Sequence, residues 1–285
     1  MLRRTHTIIL LVAFCVGSAV GVFLLVRAPA NADKQVLKEA PNDQAFYAEG
    51  TTAMAAHSAS SATHIAMPIL VYHIVRPSYD SDSAAVRALA HTPEIFEAEL
   101  QYLLAAGYHS VSFNDLENRL QYGTPLPSKP ILLSFDDGWG DQYDYAFPIL
   151  KKLQVTATFF VFTNSIGRRG FLTWDKLKEM RAAGMTIGSH SRTHPYLTSI
   201  DSSEALWSEI ADSKKILEKH LGVTINEFAY PFGQYNAAIA AMVEKAGYRS
   251  ARGDYVNGEH RADHLYELGA LNAPTTLELF KKKLP

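Results

Sequence analysis

Two acids stand side by side in this sequence, Asp136 and Asp137, after the apolar run "ILLSF" (131–135) and before Gly138. Unshielded neighbouring carboxylates repel, and one pKa is driven up. A divalent cation removes that conflict: it ligates one acid and leaves the other free to act on a water. Further along, "SHSRTH" (189–194) offers two imidazoles, His190 and His194. If that loop turns helically, residues four apart share a face. Neutral imidazoles plus a carboxylate, with one position left open, are a common catalytic zinc set. Surface histidines in a polar loop are the alternative for the pair alone, and the acid pair tips the balance toward a metal. Successive residues of an extended strand point to opposite sides, so the two acids are expected to do different jobs. A helix cap is the competing use for either acid, but one cap does not need two.

The elements that must position these groups alternate. Strands are expected at 68–73, 108–113, 130–135, 156–162, 185–190 and 225–232, with a further one at 248–252. Between them helices are expected at 92–107 (capped by Thr92, with Pro93 first), 114–123 (Asn114 as cap, Gly123 as stop), near 141–153, 173–184, 202–220 and 236–246, and finally 275–284. Continuously apolar strands alternating with helices predict a parallel sheet covered by helices, a barrel or a doubly wound sheet. In such folds ligands bind at the C-terminal strand ends. Three strands carry metal-ligand residue types there: His73, then Asp136 and Asp137, then His190 with His194. Aromatic residues in the rim loops (Trp139, Tyr143, Trp174, Tyr230, Tyr235) are candidates to stack against a bound ligand, with Trp139 first; core or loop packing is the alternative for most.

At "SFDDGW", "SHSRTH" and "YPFG" the chain resembles the polysaccharide deacetylases, the NodB-like carbohydrate esterase family 4, and "MPILVYHIV" is similar to the opening strand of its secreted, biofilm-polysaccharide-type members. The resemblance covers most of 67–285. It implies a distorted (β/α) barrel of about seven strand–helix units. It implies that Asp137, His190 and His194 hold a divalent metal, zinc above all, with cobalt, nickel or iron as alternatives. Asp136 would be the general base toward the attacking water, and the Phe232 N–H would help hold the oxyanion. The reaction implied is hydrolysis of N-acetyl groups on an N-acetylglucosamine-containing polysaccharide, giving acetate and a free amine. An O-acetyl-polysaccharide esterase and a non-catalytic, tethered glycan-binding module are the alternatives on the same fold.

The sequence departs from the family in two places. Many members carry an arginine before the third-motif proline that orients the base, and "FAYPFG" has none. The fourth and fifth motifs have no clear match: Asp254 and His264 are weak candidates, with a surface turn and a solvated loop as the alternatives. His73 is better placed, to protonate the leaving nitrogen, to bind the sugar, or as a core histidine bonded to backbone.

The N-terminus speaks to compartment. Arg3 and Arg4 precede an uncharged apolar stretch from Ile8 to Val26. A membrane-spanning helix needs about 20 residues. The basic flank puts the N-terminus in the cytoplasm and the rest outside, periplasmic or extracellular. Residues 1–32 are read as a signal or transmembrane anchor, residues 33–66 as a flexible tether in which His57 and His64 are solvated, and residues 67–285 as the catalytic domain. The single cysteine, Cys15, lies in the apolar stretch, so neither a disulfide framework nor a cysteine zinc site is available. A net charge of −2 gives no reason to expect nucleic acid as a partner and fits a neutral polymer.

Overall fold

The structure is a computed structural model that describes residues 64–253 and 258–284. The expected anchor, most of the tether with His57, and Asp254 lie outside the described residues. Among the described residues no helix is long and apolar enough to cross a membrane. Ordered pairing starts earlier than composition indicates. His64–Ala66 is a strand, antiparallel to Glu259–Arg261, so His64 belongs to the folded unit rather than to a tether.

Among the described residues the main sheet has eight strands: β1 (Ile69–Tyr72), β2 (His109–Ser110), β3 (Pro130–Phe135), β4 (Thr158–Val161), β5 (Thr186–Ser189), β6 (Glu227–Ala229), β7 (Ser250–Arg252) and β8 (Leu271–Asn272). Seven follow the order β7-β6-β5-β4-β3-β1-β8, and β2 pairs with the start of β3. Every pairing in this sheet is parallel. The sheet curls into a half-barrel, and one stretch reaches both of its edges. Leu265 and Leu268 exchange backbone bonds with Ala251 and Gly253 at the end of β7, and a few residues later β8 pairs with β1. The expected 108–113 strand shrinks to two residues. Ser112 instead caps the next helix, in a capping box with Asp115. That corrects the expectation of Asn114 as the cap.

Among the described residues seven α-helices have seven residues or more: α1 (Pro93–Ala105), α2 (Phe113–Tyr122), α3 (Phe147–Leu153), α4 (Trp174–Ala182), α5 (Ser213–Leu221), α6 (Ala237–Lys245) and α7 (Leu277–Lys283). Thr92, Thr173, Asn236 and Thr276 cap α1, α4, α6 and α7 with side-chain oxygens. Alternate strand residues enter two separate cores. Leu70, Tyr72, Leu133, Phe135, Phe159 and Val161 pack with Phe96, Leu150, Leu177 and Leu217 of the helices. Ile69, Val71, Leu132 and Phe160 pack with Phe113, Leu116 and Leu120 of α2 and with Leu265 and Leu268. Both faces are covered, so the strands read as unbroken apolar runs.

Two helices are interrupted. The expected helix near 141–153 begins as a π-helical turn, Gln142–Ala146, before α3, and the expected 202–220 helix widens at Ser208–Asp212 before α5. In the first, Pro148 has no N–H to give to the carbonyl four residues back, and its ring would crowd that carbonyl. A wider turn avoids both problems.

Candidate active site

The site forms where β1, β3, β5 and β7 end. The β1–β3 ladder runs to the pair Tyr72 and Phe135, and its last bond goes from the Asp136 N–H to the Tyr72 carbonyl at 2.9 Å. Asp137 then turns out of the strand with φ 72°, followed by Gly138 at φ 71°. The two acids therefore diverge through a left-handed turn, not through the alternation of an extended strand as the sequence reading assumed. Gly138 is required there twice over. Its φ suits glycine, and a Cβ would sit 2.8 Å from Val161 Cγ1. Neither acid caps a helix: Thr92, Ser112 and the other cap residues do that work.

The histidine loop also differs from expectation. Residues 190–196 are not helical, and Ser191 and His194 have φ 66° and 64°. The Ser191 hydroxyl accepts the His194 N–H at 3.0 Å, and Glu209 accepts the N–H groups of Arg192 (3.0 Å) and Thr193 (2.8 Å) and the Thr193 hydroxyl (2.7 Å). This wiring, not a helical turn, brings the two imidazoles together.

The convergence is close. His194 Nε2 lies 3.2 Å from His190 Nε2 and 3.2 Å from Asp137 Oδ1, and His190 Nε2 lies 3.7 Å from the same oxygen. The Ala229 carbonyl accepts the His190 Nδ1–H at 2.7 Å, which leaves a bare lone pair on Nε2. Burial lowers the His190 pKa to about 4 against the pull of Asp136 and Asp137, so the ring is neutral at ordinary pH. His194 Nε2 can fill this space with a proton shared toward Asp137 and His190, and a cation that replaced that proton would be met by two lone pairs and a carboxylate. Ligands of a tetrahedral zinc at about 2.0–2.2 Å stand roughly 3.3 Å apart, and the donor atoms here match that spacing. Asp137, His190 and His194 are the group of this kind found among the described residues. Burial alone would raise the Asp137 pKa, but the His194 hydrogen bond and the electrostatic pull of the neighbouring imidazoles of His73, His194 and, once protonated at low pH, His190 carry it well below the usual range. The Trp139 indole N–H donates to the other Asp137 oxygen at 3.0 Å.

Asp136 is buried beside this triad, with Oδ2 3.9 Å from His190 Nε2. Its Oδ1 accepts from Arg252 Nη2. Arg252 ends β7, is fully buried, and lays its guanidinium over the Phe160 ring at 4.8 Å. The sequence reading missed it. The signal was present, since "YRSAR" was expected to be a strand and arginine is its last residue, at the rim where the ligands gather.

The other candidates divide. His73 follows β1, is half-buried, and lies near enough for its charge to act on Asp137 and on His91. Phe232 is half-buried in a turn with φ 59°, edge-on to His194 at 4.6 Å and stacked on Tyr196 at 3.8 Å. Trp139 stacks on Phe171 at 4.6 Å, and Phe171 and His194 both touch Phe162, so half-buried rings line the rim on both sides of the triad. Tyr230 does not belong to that rim. It is 1% exposed, its hydroxyl is held by the Tyr266 carbonyl at 2.9 Å, and Tyr235 stacks on it. It has no face free for a sugar, which corrects its place among the stacking candidates. His264 is exposed and paired with Glu267 at 3.1 Å in its own loop.

The sequence pattern of the polysaccharide deacetylase family matches residues 123–251. Staphylococcus epidermidis poly-β-1,6-N-acetyl-D-glucosamine N-deacetylase is 30% identical over 201 residues, 62% of this chain and 68% of that protein. The chain belongs to the polysaccharide deacetylase family. Within the family it is 32% identical over 183 residues to Bacillus subtilis YxkH, named as a polysaccharide deacetylase; that match covers 64% of this chain and 62% of YxkH. Among solved structures it superposes on Streptococcus pyogenes deacetylase PplD in complex with acetate, with TM-score 0.71 and 29% identity, covering 78% of this chain and all of that one. IcaB from Ammonifex degensii superposes with TM-score 0.64 and 25% identity, over 76% of this chain and 94% of its own. Family members of this kind are metal-dependent, and the Asp137–His190–His194 cluster is a site that fits a metal.

Proposed function

We propose that this chain removes N-acetyl groups from an N-acetylglucosamine-containing polysaccharide, releasing acetate and leaving free amino sugars. The observation that carries the proposal is a cation-ready triad with a separately held carboxylate at its side. The relative named for poly-β-1,6-N-acetyl-D-glucosamine supports the choice of sugar.

In this reading Asp137, His190 and His194 hold the divalent ion, zinc first, and the ion supplies Lewis-acid activation of the water and the acyl oxygen. The chain's own groups do the rest. Arg252 occupies Asp136 Oδ1, so Oδ2, the oxygen on the His190 side, takes the proton of the attacking water. The Phe232 N–H steadies the negative oxygen that develops at the acyl carbon. His73, across the rim, returns a proton to the leaving nitrogen. The half-buried rings of Trp139, Phe171, Phe162 and Phe232 give a sugar chain apolar faces to lie against. We place the reaction outside the cytoplasmic membrane, with residues 1–32 as signal or anchor, 33–63 as tether and the domain beyond as the catalytic unit; the support is the apolar stretch Ile8 to Val26 behind Arg3 and Arg4.

Acetate release from poly-β-1,6-N-acetylglucosamine, chitin oligomers, peptidoglycan and acetylxylan, with zinc or cobalt added, tests the proposal. Release from an N-acetylated polymer is the expected result. Release from acetylxylan alone would make the protein an O-acetyl esterase, and glycan binding without release would make it a binding module.

A further inference from the structure

The β1–β3 ladder stops one residue short of both His73 and Asp136. Gln142 takes over at that point. Its side-chain NH2 donates to the His73 carbonyl at 2.8 Å and to the Asp136 carbonyl at 2.6 Å, spending both hydrogens on two strand ends. Gln142 is fully buried, at the first position of the π-helical turn. Its neighbour Asp141 accepts the Val75 N–H at 3.4 Å, so two adjacent side chains strap the 73–75 segment to the loop that comes after the acid pair. Gln142 does this without burying a charge: a carboxylate has no hydrogen to give, a lysine or arginine would bring a cation into a closed space, and an apolar side chain leaves two carbonyls unbonded.

We propose that Gln142 is a positioning residue that fixes the spacing between His73 and Asp136, the two groups that exchange protons with the reacting amide. The proposal rests on the deacetylase reading of the site. Gln142 is closed off from solvent, and its hydrogen bonds go to backbone carbonyls, not to the side chains of Asp137, His190 or His194. Its loss is therefore expected to spoil alignment without spoiling metal binding.

The test compares Gln142→Met, of similar volume with no donor, and Gln142→Glu, with wild type on the full chain. For Gln142→Met we expect kcat to fall about 10–100-fold, the scale on which a small misplacement acts, with KM and zinc affinity changed less than about 3-fold. Gln142→Glu is expected to be as poor as Gln142→Met near pH 10 and to recover relative to wild type as pH falls to 5, because burial raises the pKa of a carboxyl and the protonated side chain can again donate one hydrogen bond. A Gln142→Met protein with wild-type kcat overturns the proposal, as does parallel loss of zinc affinity, which would mean general damage. If Gln142→Met does not fold, the pH-dependent ratio for Gln142→Glu decides, and a flat ratio overturns the idea. Side-chain amide exchange by NMR on wild type adds a readout without turnover. Slow exchange of both Gln142 hydrogens is expected, and fast exchange overturns the clamp. If wild type releases no acetate from any polymer, the deacetylase reading fails while this measurement still reports on Gln142.

Discussion

Arg252 at the end of β7 donates to Asp136 at the end of β3, across the inside of the curled sheet. The sequence segment where many relatives carry an arginine, before the third-motif proline, has none. The neighbouring strand supplies the same charge from 20 or so residues further on, over the face of Phe160. Removing one member of a buried ion pair costs about 3–5 kcal/mol, because the other charge is stranded. Arg252→Met should therefore lower unfolding free energy by roughly that amount in urea titrations. Adding Asp136→Asn should restore a large part of it. Additive losses would mean that the pair is not coupled.

The two acids should separate cleanly in metal binding. Asp137→Asn removes a proposed ligand and should weaken zinc at least about 100-fold in chelator competition. Asp136→Asn should bind zinc within a few-fold of wild type and release no acetate. The reverse pattern would exchange the roles assigned to them.

Trp139 offers an indirect handle on the same site. Trp139→Phe keeps the stack on Phe171 but deletes the donor to Asp137 Oδ2. Partners behind a ligand typically contribute 10–100-fold in metal affinity. A loss of about 10-fold is expected, measured by calorimetry with zinc. Unchanged affinity would show that the indole N–H gives the metal site no support.

Stability should depend on pH through Glu99. This carboxyl is buried on α1, where it accepts the Tyr72 hydroxyl at 3.1 Å. Burial raises its pKa to about 8, opposed by that hydrogen bond. The unfolded chain loses the proton near pH 4.5 and the folded chain keeps it to about 8. The contribution is complete below pH 4.5 and declines as pH rises to 8, by a few kcal/mol at most. Glu99→Gln keeps a carbonyl for Tyr72 and should flatten this decline. Thermal melts from pH 5 to 8.5 would show the variant gaining on wild type as pH rises. Parallel curves would show that Glu99 titrates normally.

What could be read from the sequence was what is local. Thr92 and Thr173 sit beside the helices they cap, and the strand ends that carry Asp136 and His190 are marked by apolar runs stopping at polar residues. What escaped was set by distant partners. The Arg252–Asp136 pair joins residues more than a hundred positions apart, and the 265–272 seam has too few residues on either edge to show a pattern. The His190–His194 spacing looked helical, yet the loop is shaped by Glu209, a residue that helical periodicity had assigned to an unbroken helix. Tyr230 looked like a rim aromatic because it lies near the C-terminal end of the strand expected at 225–232, and its burial comes from Tyr235 and Tyr266 closing over it.

The two π-helical turns each carry a side chain that reaches into the site, Gln142 from one and Glu209 from the other. Each such turn amounts to one residue too many in an otherwise regular helix. Deleting a single residue from 210–212 would let an ordinary α-helix form there, and would rotate the segment on its N-terminal side by about 100° relative to the segment on its C-terminal side. That shortened helix would be the better helix, with Glu209 aimed away from the histidine loop. A deletion within 143–146 would turn Gln142 in the same way and would also draw Pro148 into a continuous helix that it cannot join without losing a backbone bond. In both places a one-codon loss would misaim a side chain that holds the site, so natural variation in length should be rarer here than in any surface loop of the domain.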